Sequence, residues 1–166
     1  MILPDVLGPN LKVVFCGSAV GTASAIQGAY YAGPGNMFWP TLHRIGLTPH
    51  QLNAADYRTV LTYGIGLTDI VKNRSGGDAS LVQDDFDGDG LRGRVMEFSP
   101  RVLAFNGKRA AKEYFGRKTV DYGLQGVGIG ETVLFVLPST SGAARGFWDE
   151  GEWVKLAEFL AEKWMS

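Results

Sequence analysis

Four short apolar runs constrain this chain most: Leu11–Cys16 (LKVVFC), Gly64–Thr68 (GIGLT), Val102–Phe105 (VLAF) and Thr132–Leu137 (TVLFVL). They read as strands, and the stretches between them have helical character. Such an alternation builds a parallel sheet covered by helices on both faces, so the expected class is α/β.

The clearest helical pattern is C-terminal, where Trp153, Leu156, Ala157, Leu160 and Trp164 fall on one stripe and Asp149 and Glu150 suit the first turn. Asn36–Ile45 and Pro49–Leu61 also read as helices, with Pro49 in a first turn. A further helix, Lys108–Phe115, is expected after the turn Asn106-Gly107. Asn73–Gly90 is polar and rich in Gly and Asp, and is expected to be a mobile surface loop. At 166 residues, 45% of them hydrophobic, the chain suffices for one sizeable core, and one domain over 1–166 is the expectation.

Composition removes several chemistries. Cys16 is the only cysteine, which excludes an intramolecular disulfide and a four-cysteine zinc or iron–sulfur site, and fits a reducing cytoplasm. No apolar run approaches the ~18 residues of a membrane span, and no basic leader precedes the first strand, so a soluble protein is expected. A net charge of −1 neither demands nor excludes a polyanionic partner, because phosphate contacts need only a local cationic patch.

Familiar motifs fail on spacing. Gly17-Ser18-Ala19-Val20-Gly21 is not a dinucleotide fingerprint, and Gly107-Lys108 is followed by Arg109 where a phosphate-binding loop needs Ser or Thr. Asp85–Gly90 copies half of an EF-hand loop, but its twelfth position is Met96, which cannot supply the closing carboxylate. His43 and His50 have no paired nucleophile or metal-ligand spacing. No metal or cofactor is expected.

FCGSAVG, YAGPGNMFW, YGIGLTDIV and PSTSGAAR, with AFNGK and DYGLQ between the last two, occur in this order from about Leu11 to Arg145. Together they resemble the mismatch-specific uracil-DNA and thymine-DNA glycosylase family. The resemblance implies a three-layer αβα sandwich around a central, mainly parallel sheet of about four strands, with its site at the strand carboxyl ends. It also implies an enzyme of DNA repair that flips out uracil, notably from G·U mispairs, and hydrolyses its N-glycosidic bond without a cofactor, leaving an abasic site. The implied partner is DNA holding uracil or another damaged or mismatched base. A monomer is expected.

The family's motifs assign roles by position. Tyr31 falls where the family stacks an aromatic on the flipped base, Asn36 where the base pocket is shaped, and the backbone of Gly17, Ser18 and Ala19 where a departing pyrimidine oxygen is held. Phe38 and Trp39 are expected in the core. Ser141, Gly142, Ala143 and Arg145 match the loop that fills the space of the flipped nucleotide, with Arg145 the expected wedge because Ala143 is small. Lys108, at a helix start, suits phosphate, and Lys72 and Arg74 would extend that patch.

One departure decides the chemistry. Family members usually carry G-I-N-P-G where this chain has Gly17-Ser18-Ala19-Val20-Gly21, so Ala19 replaces the Asn that positions water. Asp69, in YGIGLTD, is expected on the same rim as Gly17 and is the candidate catalytic group, able to orient and deprotonate water and to favour a sugar cation. A brace for the following loop is the competing role for Asp69. Two other functions fit the altered turn: a glycosylase for another base, such as hypoxanthine or an alkylated pyrimidine, and a damage-binding module without chemistry.

Overall fold

The computed structural model describes residues 1–164, with side chains described as far as residue 162. Five strands form one sheet: β1 (Val13–Gly17), β2 (Ile65–Asp69), β3 (Val102–Asn106), β4 (Gly123–Ile129) and β5 (Thr132–Leu137), in the order β2-β1-β3-β5-β4. β1, β2, β3 and β5 are parallel, as expected. The fifth strand was not foreseen: β4 runs antiparallel to β5 at the edge, and its pairing is irregular between Leu124 and Gly128. Glycine-rich and mostly exposed, β4 lacks the buried apolar run that marks the other four.

Helices cover both faces because alternate residues of each central strand point to opposite sides. Val13 and Phe15 join one cluster with Phe38, Leu42, Trp153 and Leu156. Val14 and Cys16 join the other with Leu91, Val95, Ala110 and Ala111. Phe15 is fully buried and stacks on Trp153 with ring centroids 5.4 Å apart. That burial contributes about 1.5–3 kcal/mol for the Phe side chain. The three layers are therefore as the resemblance implied.

Among the described residues four α-helices lie between strands, α1 (Thr22–Gln27), α2 (Phe38–Arg44), α3 (Gly88–Phe98) and α4 (Lys108–Phe115), and α5 (Glu150–Trp164) follows the last strand. α4 has the expected bounds, and α5 buries Trp153, Leu156 and Leu160. The Trp164 side chain lies outside those described. α2 starts later than Asn36 because the Asn36 Oδ1 accepts the Phe38 N–H at 3.0 Å, outside the helix. The helix expected over Pro49–Leu61 is instead a 3₁₀ stretch, Ala54–Tyr63, interrupted at Asp56.

Asn73–Gly90 is not a free loop. It pairs with the turn after β1 through a Val20–Ser75 bridge, buries Leu81, and runs directly into α3, whose first turn is capped by Asp87 accepting from Gly90 N–H at 2.9 Å. Arg109 of α4 donates to the carbonyls of Asp78 and Leu81 at 3.0 and 3.3 Å and fastens the segment's middle. Repeated Gly and Asp concealed this order, since both are turn residues in sequence.

Candidate active site

The chain leaves β1 toward β2 on one side and later crosses to β3 on the other, so the carboxyl ends of β1 and β3 flank a topological switch point. Three strand ends meet there: Gly17 of β1 pairs with Asp69 of β2, and Asn106 closes β3. They line a cleft of about 870 Å³.

Asp69 is the last residue of β2 and only 2% exposed. Its Oδ2 receives the Lys72 Nζ at 3.3 Å, and its main-chain carbonyl receives the Arg94 Nη2 at 2.8 Å. The Oδ1 lies 3.3 Å from where a Cβ on Gly17 would stand, and the Tyr31 hydroxyl is 3.4 Å from that same point. Burial pushes the Asp69 carboxyl up to about 6, although Lys72 pulls it down. A carboxylate so placed is ionised at neutral pH and titrates where a general base works.

Tyr31 has a left-handed backbone, φ 54°, uncommon for an aromatic residue. Its ring stacks on Phe38 at 4.0 Å between centroids. Its hydroxyl is buried with no hydrogen-bond partner among the described residues. Burial, with the Asp69 charge second, pushes the hydroxyl's pKa up, so it stays protonated and remains a donor.

The turn after β1 uses its carbonyls and spares some of its N–H groups. Gly17 and Ser18 carbonyls accept from Ile70 and Val71 at 3.0 and 2.7 Å, whereas the N–H groups of Ser18 and Ala19 meet no acceptor among the described residues. Together with Gly17 they line the cleft. Free amides at a strand end can hold a developing oxyanion.

Asn36, Lys108, Ser141, Gly142 and Ala143 border the same cleft. Asn36 spends its Oδ1 on Phe38, which leaves its amide N–H groups for a ligand. Lys108 rests its Nζ over the Tyr122 ring at 4.2 Å. Arg145 lies just outside, its Nη2 3.1 Å from where a Cβ on Gly35 would stand, so the last loop folds over the one before α2. Phe38 and Trp39 are core residues, as expected.

Lys72 is a correction. It faces inward, its side chain 13% exposed, and its Nζ is 2.8 Å from Asp5 Oδ1, so it cannot belong to a phosphate-binding surface. Arg74 is exposed beside Asp85 at 3.8 Å.

Sequence reading missed four residues. Asn106 exchanges two hydrogen bonds of 3.0 Å with Thr140 and thereby fixes the segment before Ser141; the motif AFNGK held the signal. Arg109 and Lys112 add positive charge to the wall of the cleft. Phe147, at the end of a 3₁₀ turn over Gly142–Phe147, borders the cleft and is 76% exposed. Next to Trp148 in sequence, it resembles one more core aromatic.

Residues 4–160 match the family described as the Uracil DNA glycosylase superfamily. The chain belongs to that superfamily. A solution NMR structure of a "putative Uracil DNA glycosylase" from Methanosarcina acetivorans is similar in fold, with a TM-score of 0.64 and 27% identity over 95% of this chain and 96% of that one. Members of the uracil DNA glycosylase superfamily are DNA glycosylases and hydrolyse N-glycosidic bonds. The cleft at the strand carboxyl ends, with Gly17, Asp69 and Asn106 in its wall, is the candidate active site of this glycosylase.

Proposed function

We propose that this glycosylase is monofunctional, removes uracil from DNA, notably from G·U mispairs, and uses Asp69 in place of the water-positioning Asn that Ala19 replaces. This reading aligns it with the mismatch-specific uracil and thymine glycosylases. The observation that carries it is the pairing of Gly17 with Asp69, which sets a buried carboxylate against the turn whose amides are free.

In this reading the flipped base enters the cleft and lies against Tyr31, whose other face is taken by Phe38. The C1′–N1 bond breaks with its electron pair leaving on the base, whose oxygen is held by the N–H groups of Ser18 and Ala19. The ionised Asp69 offsets positive charge developing on the sugar. Asp69 then takes a proton from water as the water oxygen bonds to C1′; the base anion gains a proton from solvent on release, and Asp69 returns its own to solvent. The products are free uracil and an abasic site.

Single-turnover release of uracil from a G·U duplex tests this, with Asp69→Asn and Asp69→Ala compared at matched DNA affinity. A fall of ~100-fold or more is expected. Unchanged rates would remove Asp69 from the chemistry. A wild type that binds but releases no uracil would favour another base, or binding alone.

A further inference from the structure

Lys72 was expected on the DNA surface, yet it sits behind the cleft among charges contributed by three separate segments. Its Nζ is 2.8 Å from Asp5 Oδ1, 3.3 Å from Asp69 Oδ2 and 3.3 Å from the Tyr30 hydroxyl. Asp5 is held in turn by the Thr68 hydroxyl, which donates at 2.7 Å to Oδ1, and by Arg94 Nε, 3.3 Å from Oδ2. The N-terminal segment reaches this place by pairing along β2: Val6 exchanges two backbone hydrogen bonds with Leu67, and Ile2 N–H donates to the Lys72 carbonyl at 2.9 Å.

These contacts divide the two oxygens of Asp69. Oδ2 is engaged by an ammonium group, whereas Oδ1 lies 3.3 Å from where a Cβ on Gly17, a cleft-lining residue, would stand. An ammonium group at this distance favours the charged carboxylate, and a second carboxylate on its far side keeps the ammonium in place.

We propose that Lys72, clamped by Asp5, is a positioning residue for the glycosylase reaction: it holds Asp69 ionised and turned so that Oδ1 is the oxygen presented to water. This rests on the reading of Asp69 as the water-activating group. The groups that face Asp69 are Lys72, Asp5 from the N-terminal segment, Tyr30 and Tyr31 from the loop before α2, Cys16 of β1 and Arg94 of α3. Burial pushes Tyr30, Tyr31 and Cys16 upward, so all three stay neutral near pH 7. Lys72 is therefore the cation on the side chain itself, since Arg94 bonds the Asp69 main chain.

The test follows the Asp69 carboxyl directly, by carbon-13 NMR titration in the full chain, for wild type, Lys72→Met, Lys72→Gln and Lys72→Arg. Single-turnover uracil release is recorded over the same pH range. Loss of the ammonium should raise the Asp69 midpoint by about 1 unit or more. The acid limb of the rate should move upward by the same amount, with about a fivefold loss at pH 6 that shrinks at higher pH. Lys72→Arg keeps the charge and should restore most of the midpoint. Two neutral variants guard against one failing to fold.

An unchanged Asp69 midpoint in a folded neutral variant overturns the proposal, whatever Asp69 does in catalysis. A raised midpoint together with an unimpaired Asp69→Asn enzyme would leave the clamp standing and sink the catalytic reading of Asp69. A uniform loss of rate at every pH, with the midpoint unmoved, would reduce Lys72 to a structural brace.

Discussion

Gly17 and Asp69 are register partners on adjacent parallel strands, and Oδ1 of Asp69 lies 3.3 Å from where a side chain on Gly17 would begin. The absence of a Cβ there leaves room for the carboxylate and for the Tyr31 hydroxyl together. Gly17→Ala should therefore displace one or both oxygens. The expected result is a ~10–100-fold slower single-turnover cleavage with DNA affinity within about twofold, since the change lies below the DNA surface.

Asp69→Asn should exchange activity for stability. Asp69 has its carboxyl raised from 3.8 to about 6, so between those values the folded protein keeps a proton that the unfolded chain has lost. Stability attributable to this group is therefore fullest below about pH 4, declines as pH rises to about 6, and is constant above. Asn removes that penalty, and Asp5 still holds Lys72. Unfolding by denaturant should show Asp69→Asn more stable by on the order of 1–3 kcal/mol at pH 7.5, with the difference vanishing near pH 4.

Phe147 and Arg145 should matter only where a duplex must be opened. Both are exposed, so substitutions leave folding intact. Phe147→Ala is expected to slow release from a G·U duplex by about tenfold and to leave single-stranded substrate within about twofold, because an apolar ring offsets the cost of unstacking. Equal losses on both substrates would assign Phe147 to base binding instead.

Arg109, besides its place in the cleft wall, pins the segment after Val71. Arg109→Met should leave the two carbonyls it bonds unpaired and cost about 1–3 kcal/mol. Hydrogen exchange should quicken in the segment around Leu81 more than in the sheet.

Removing the carboxylate that faces Lys72 and Arg94 should be costly. Asp5→Ala leaves two cations short of a partner at a side chain only 19% exposed, with an expected loss of about 2–4 kcal/mol measured by denaturant unfolding.

The sheet was legible because strands buried on both faces must be apolar throughout, as VVFC and VLFVL are. β4 was hidden by the opposite property, since Leu124 and Val127 are exposed among glycines. α3 begins in the sequence Gly88-Asp89-Gly90, which by propensity opposes a helix, and is held there by Leu91 and Val95 packing on the sheet. The place of Asp69 could be read from a carboxylate ending an apolar run. The place of Lys72 could not, because sequence spacing carries no sign of which way a lysine turns when its partner is Asp5, far away along the chain.

Arg145 carries a consequence of its own. With its guanidinium lying over Gly35, the arginine is parked on the loop that also supplies Tyr31. In the reading of Arg145 as the wedge, insertion into a duplex requires it first to leave that berth. In that reading the strength of DNA engagement is tied to how comfortable the idle position is, and a larger residue at 35 would both crowd the guanidinium and strain a backbone whose φ of 79° favours glycine.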